Sequence, residues 1–65
     1  MKLTVNGLQM ELPVTVLGDV LRHHELQDKM VVTEVDGVIV ERGQWETTAL
    51  FEGMKIELVH FVGGG

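Results

Sequence analysis

From Lys2 to Leu12 polar and apolar residues alternate: Leu3 and Val5 against Lys2 and Thr4, then Leu8, Met10 and Leu12 against Gln9 and Glu11. A period of two is the signature of strands with one face buried. Asn6-Gly7 separates the two runs. Both residues accept the positive φ of a type I′ turn, so the segment is predicted as a hairpin. Pro13 closes the second strand because it has no N–H for the ladder.

The period then changes. Val16, Val20 and His24 recur at i, i+4 with Leu17 and Leu21 beside them, which predicts an amphipathic helix. Thr15 is the expected N-cap, and the helix is expected to end near Glu25. Asp19 suits the positive end of the helix dipole. Gly18 in the first turn costs about 1 kcal/mol relative to Ala, so tertiary packing must hold the helix. A second hairpin follows, residues 30–35 and 38–40 around the turn Asp36-Gly37. Glu41-Arg42-Gly43-Gln44-Trp45 breaks the pattern and reads as a turn or a short 3₁₀ piece, with Trp45 as a lid on the core. Gly53 precedes a last strand over residues 55–62.

The order strand, strand, helix, then three strands predicts an α+β domain, a mixed sheet of four or five strands with one main helix packed on one face. A helical crossover joins parallel strands, which puts the last strand centrally beside the first. Leu3, Val5, Val20, Leu21, Ile56 and Leu58 are the expected core. Residues 1–62 are expected to form the domain, and residues 63–65 a flexible glycine tail.

Composition narrows the function. With 65 residues the chain is one small domain, and 45% hydrophobic and 23% charged residues describe a folding chain rather than a disordered one. There is no cysteine, so disulfides, thiolate metal sites and a thiol nucleophile are excluded. The net charge is −5, and the cations Lys2, Arg22, Lys29, Arg42 and Lys55 are scattered, which argues against nucleic acid as a partner. An acidic surface suits a partner with a basic docking patch. No apolar run approaches the length of a membrane span, and the N-terminal residues lack the pattern of a signal peptide, so a cytoplasmic location without membrane partners is expected.

Catalytic chemistry is hard to find. Adjacent His23 and His24 point to different helix faces and make a poor chelating pair, so no metal site is expected. The carboxylates are dispersed, and the glycine triplet lacks the helix and lysine of a phosphate-binding loop. What remains is the ending itself. Gly63-Gly64-Gly65 follow an apolar strand and would carry the terminal carboxylate of Gly65 into a slot too narrow for side chains. Three extended residues reach about 10 Å. Taken alone, the three glycines read first as a frayed terminus or an expression scar.

The whole chain resembles the sulfur carrier proteins of thiamine thiazole biosynthesis, small members of the ubiquitin-like β-grasp superfamily. The resemblance is carried by Val5-Asn6-Gly7, the helix start from Thr15 to Leu21, Val35-Asp36-Gly37-Val38-Ile39-Val40, Glu41-Arg42 with Trp45, Gly53, and the last block from Ile56 to Gly65. Met54 and Glu41 depart from it, standing where an acidic residue and a proline are common. The resemblance implies a carrier and co-substrate rather than an enzyme, with no cofactor of its own. An adenylyltransferase of the ubiquitin-activating kind would use ATP and magnesium to adenylate Gly65. A sulfur donor, such as a cysteine-desulfurase persulfide, would then lead to a Gly65 thiocarboxylate, and thiazole synthase would receive the sulfur. Gly63, Gly64 and Gly65 would enter the partner's active site. If Ile56 and Leu58 face the helix, alternation sends Glu57, Val59 and Phe61 to the open face as the docking surface. A molybdopterin-type or other sulfur carrier, a protein modifier and a non-covalent ubiquitin-like interaction module are the alternatives.

Overall fold

The computed structural model describes residues 1–62. Both hairpins form where the turn residues place them. β1 (Lys2–Val5) and β2 (Leu8–Glu11) pair antiparallel around Asn6-Gly7, and β3 (Val31–Val35) and β4 (Val38–Val40) around Asp36-Gly37. The four turn residues have φ of 48° and 82° in the first case, 48° and 85° in the second, as a two-residue I′ turn requires. β5 (Lys55–His60) pairs parallel with β1 and antiparallel with β3. Among the described residues the strands form one mixed sheet in the order β2-β1-β5-β3-β4. The last strand is therefore central and beside the first, as the crossover argument predicts.

The helix α1 (Leu17–His23) covers one face. Leu17, Val20 and Leu21 are fully buried against Leu3, Val5, Ile56 and Leu58, so every residue of the predicted core is buried. Two expectations about the helix need correction. The buried stripe runs along Leu17, Val20 and Leu21, while Val16 and His24 are only half-buried. Thr15 is not the cap either, because Val16 occupies that position. Asp19 supplies the capping oxygen from within the helix, its Oδ2 accepting the backbone N–H groups of Thr15 and Val16 at 3.0 and 3.1 Å. Those bonds and the Arg22 guanidinium, which is the larger cause, hold the Asp19 carboxyl well below the usual carboxylate range. The free N–H groups of Leu17 and Gly18 are taken by the carbonyls of Thr48 and Trp45, from a segment that crosses over the helix start. A helix of 7 residues is too short to stand alone. Its donors are satisfied by tertiary partners instead.

The other end closes in a Schellman motif. Leu26 N–H donates to Leu21 C=O and Glu25 N–H to Arg22 C=O, with Glu25 at φ 57° in the left-handed position usually given to glycine. The helix proper stops at His23, short of the expected end. β2 also ends before Leu12, which is buried, while Leu8 on the same strand is 64% exposed because an edge strand has nothing beyond it. β3 begins at Val31, and β5 stops at His60 rather than reaching residue 62.

Trp45 is the lid that its isolation in the sequence suggested. It is buried, and its Nε1–H donates to Thr33 Oγ1 at 3.2 Å; the Thr33 hydroxyl in turn donates to the Val40 carbonyl at 2.6 Å. The 3₁₀ turn Arg42–Gln44 sets Arg42 over the indole, with the guanidinium carbon 4.4 Å from the ring centroid. The same guanidinium donates to the carbonyls of Gln27 and Lys29 and so ties down the loop between α1 and β3. Leu12, Val14 and Leu50 complete the core from stretches without regular structure.

Gly18 has a packing reason. A Cβ there would overlap the Glu46 carboxylate, which Arg22 holds through Nη1 at 2.8 Å and Nη2 at 3.0 Å. Gly18→Ala is therefore expected to be near neutral in the native background, its helix-propensity gain offset by displacement of Glu46. In a Glu46→Ala background the same substitution should stabilise by about 1 kcal/mol. A denaturation double-mutant cycle measures the difference, and equal effects in both backgrounds would remove the steric explanation.

Candidate functional site

The strand that leads to the glycines is the most constrained in the sheet. Ile56 and Leu58 point inward and are buried, so Glu57 and Val59 point to the open face, and Phe61 follows beyond the strand end. Phe61 N–H still donates to the Met30 carbonyl at 3.1 Å, which holds the chain in line past His60. The three residues read as the docking surface thus share one exposed face, with Val59 52% and Phe61 53% accessible. Gly63, Gly64 and Gly65 lie outside the described residues.

Both hairpin turns brace this strand. Where β1 turns away, Asn6 continues its pairing with a side chain: Leu58 N–H donates to Asn6 Oδ1 at 2.7 Å, and Asn6 Nδ2–H donates to the Leu58 carbonyl at 3.2 Å. The Asn6 backbone N–H adds a bond to Ile56 C=O at 2.9 Å. On the other flank Lys55 N–H donates to Asp36 Oδ1 at 2.9 Å and Asp36 N–H to the Lys55 carbonyl at 2.8 Å. Asn and Asp are thus used twice, for the positive φ of the turn and for the side chain that copies a peptide group. The sequence signals the first use and hides the second, because the partner is 52 positions away.

The open face is larger than the sequence suggests. Val32 lies directly across from Val59, and register places Ile39 beside Glu34 and Glu34 beside Glu57. Val32 and Ile39 are 39% and 63% exposed, so an apolar field runs from Ile39 through Val32 and Val59 to Phe61. Two carboxylates, Glu34 and Glu57, interrupt it face to face. Like charges directly opposite on a sheet are unfavourable, by up to about 1 kcal/mol. No ion pair relieves either one among the described residues. With Asp36, Gly37 and Lys55 they line an open depression at the β3–β4 turn.

The histidines form no part of this face. The rings of His23 and His24 meet edge-on at 5.2 Å, and burial pushes the His24 pKa down. His60 pairs with Val31 at the end of β5, away from both. Among the described residues no group of three or more His, Cys, Asp or Glu could hold a metal ion, and no helix is long and apolar enough to cross a membrane.

A braced central strand, an open apolar face beside it and three glycines after it can be compared with known proteins. The sequence pattern of the ThiS family matches residues 3–65. The chain belongs to the ThiS family. It is similar to the sulfur carrier protein ThiS of Bacillus subtilis, with 36% identity over 49 residues that cover 75% of this chain and 74% of that protein. The crystal structure of the thiamine biosynthesis protein ThiS from Geobacter metallireducens superposes with a TM-score of 0.81 at 29% identity, over the full length of both chains. A solution structure of a thiamine biosynthesis protein from the same organism gives 0.80 at 29% identity, covering all of this chain and 88% of that one. The ubiquitin-like β-grasp fold expected from the resemblance is the ThiS fold seen here. A ThiS-family chain is a sulfur carrier in thiamine biosynthesis, a carrier rather than a catalyst.

The brace gives this ThiS-family strand its direction. Asn6→Gly keeps a residue that accepts positive φ and deletes both side-chain bonds to Leu58. It should destabilise by about 1–3 kcal/mol and raise hydrogen exchange at the Leu58 amide. Unchanged stability and unchanged exchange at that amide would show that the clasp does not hold β5.

Proposed function

We propose that this sulfur carrier works through the carboxylate of Gly65, delivered to partner enzymes by β5. The observation that carries this reading is the central strand itself, braced by Asn6 and Asp36 on its two flanks and followed in the sequence by Phe61, Val62 and the three glycines. A carboxylate ionised at neutral pH is a poor acyl donor and needs activation. An adenylyltransferase using ATP and magnesium would form the Gly65 acyl-adenylate with release of pyrophosphate. A donor persulfide, such as that of a cysteine desulfurase, then attacks the acyl carbon and expels AMP. Reduction of the remaining sulfur–sulfur bond by a thiol leaves the thiocarboxylate, which donates its sulfur to thiazole synthase. This chain binds no cofactor in the sequence and acts as co-substrate. The absence of cysteine throughout the chain fits work in a reducing cytoplasm.

Docking falls to the open face. Val59 and Phe61 flank the path to the tail, and Glu57 offers a charge to a basic partner surface. Val59→Asp or Phe61→Asp should weaken binding to the adenylyltransferase by tenfold or more, on the order expected for a charge buried at an interface. Neither should move the melting temperature much, since both side chains already meet water. If thermal stability collapses while the folded fraction binds normally, these residues serve the core instead.

The tail is tested by length. Removing Gly65, or adding one residue after it, should abolish ATP-dependent thiocarboxylate formation with little change in melting temperature. The reacting carbon must approach within roughly 3–3.5 Å of its partner, and one residue displaces it by about as much. Intact mass after incubation with activating enzyme, ATP and sulfur donor should show one oxygen replaced by sulfur on the C-terminal peptide. Gly64→Ala should impair the reaction as well, by adding a Cβ inside the partner's channel. Equal yields from full-length and Gly65-deleted protein would remove the carboxylate from the chemistry.

A further inference from the structure

The two edges of the sheet are built differently. β2 turns Gln9 and Glu11 to the open face, pairs the Glu11 carboxylate with the N-terminal ammonium at 2.5 Å, and is followed by Pro13. Polar side chains, charge and proline are the usual means of keeping an edge unpaired. β4 is short, and the strand itself carries no polar side chain and no proline. Its three residues are Val38-Ile39-Val40, and Val38 and Ile39 are 65% and 63% exposed.

The turn decides which backbone groups are free. A two-residue loop makes Val35 and Val38 the hydrogen-bonded pair that closes the hairpin, and Thr33 and Val40 the next one. The pair between them, Glu34 and Ile39, exchanges no ladder bonds. The N–H and C=O of Ile39 therefore point away from β3, along the outside of the sheet.

We propose that β4 is a docking edge for an extended segment of a partner protein with lysine or arginine at alternate positions and apolar residues between. The charges around the edge select that occupant. Glu34 lies opposite Ile39, Asp36 is in the turn that opens β4 and Glu41 directly follows the strand, and none of the three is ion-paired among the described residues. The cation next in sequence, Arg42, is turned onto the Gln27 and Lys29 carbonyls and the Trp45 ring. Lys55 stands alone in the depression that Glu34, Asp36 and Glu57 share. A second copy of the chain would set these carboxylates against themselves, whereas a basic strand complements them. Main-chain bonds to Ile39 fix the register, and alternate side chains reach the acidic residues on the open face. β3 separates this edge from β5, so the proposal does not depend on the chemistry of Gly65.

The test uses the full chain and two synthetic peptides, Lys-Val-Lys-Val-Lys-Val-Lys and its counterpart with Glu for every Lys. The basic peptide should slow hydrogen exchange at the Ile39 amide and shift its NMR resonance, with an effect that fades as salt rises. The acidic peptide should do neither. Ile39→Pro removes the outward donor without touching the β3 ladder and should lower affinity on the order of tenfold. Glu34→Gln combined with Glu41→Gln leaves the backbone edge intact and should weaken binding by about the same factor. Equal binding of the two peptides, or a response confined to Val59 and Phe61, would overturn the proposal. So would no protection at Ile39, or protection that grows with protein concentration in the absence of peptide, which would identify a second copy as the occupant.

Discussion

Ile56 is the residue on which the remainder of the molecule converges. It pairs with Val5 on one side and Val35 on the other, so three strands distant in sequence present one continuous row to the helix. All three side chains are buried, Ile56 completely, and Leu17, Val20 and Leu21 close over them. Among the described residues there is one core cluster, with no second one to compensate for a poor fit. The helix has too few residues to be stable alone, and the two hairpins would be marginal as isolated pairs. Each element becomes stable by covering this row.

The arrangement also places the strand that leads to the C-terminal glycines in the middle of the sheet. A sheet whose last strand is central has neighbours on both sides to hold it, and here the hairpin turns add side-chain bonds where the ladders run out. Asn6 reaches Leu58 and Asp36 reaches Lys55. Phe61 continues from His60 in line with the strand, held by its own N–H bond to the Met30 carbonyl. For a carrier this is a division of labour. The domain supplies a firmly held strand and an open sheet face, and no catalytic group is needed for a carrier.

Polar groups in this protein are arranged to hold segments rather than to react. Asp19, Arg22 and Glu46 link the helix start to the loop above it, and the Asp19 and Glu46 carboxyls are both held below their ordinary values by the Arg22 guanidinium. Arg42, Trp45 and Thr33 link another loop to β3 and β4. Glu34 and Glu57 have no such partner among the described residues and face each other on the open side of the sheet, beside the β3–β4 turn.

By itself the sequence determined both hairpins, because Asn6-Gly7 and Asp36-Gly37 can satisfy a I′ turn where most residue pairs cannot. It determined the mixed sheet, the central last strand and the six named core residues, because alternation and a single helical period leave few ways to bury them. It also carried the family, through blocks spread over the whole chain. The tertiary structure alone decided the rest. Val16 and His24 have the spacing of a buried stripe, yet the helix is turned to bury Leu17 and Leu21, which fit the row around Ile56 better. Thr15 has the chemistry of a cap but Asp19 provides it, since the crossing segment from Trp45 to Leu50 fixes where the helix starts. Val32 and Ile39 join the open face only through register between strands, and register is a long-range property. The clasps of Asn6 and Asp36 were hidden for the same reason: a local pattern specifies the turn, and only folding brings the distant strand within reach of its side chain.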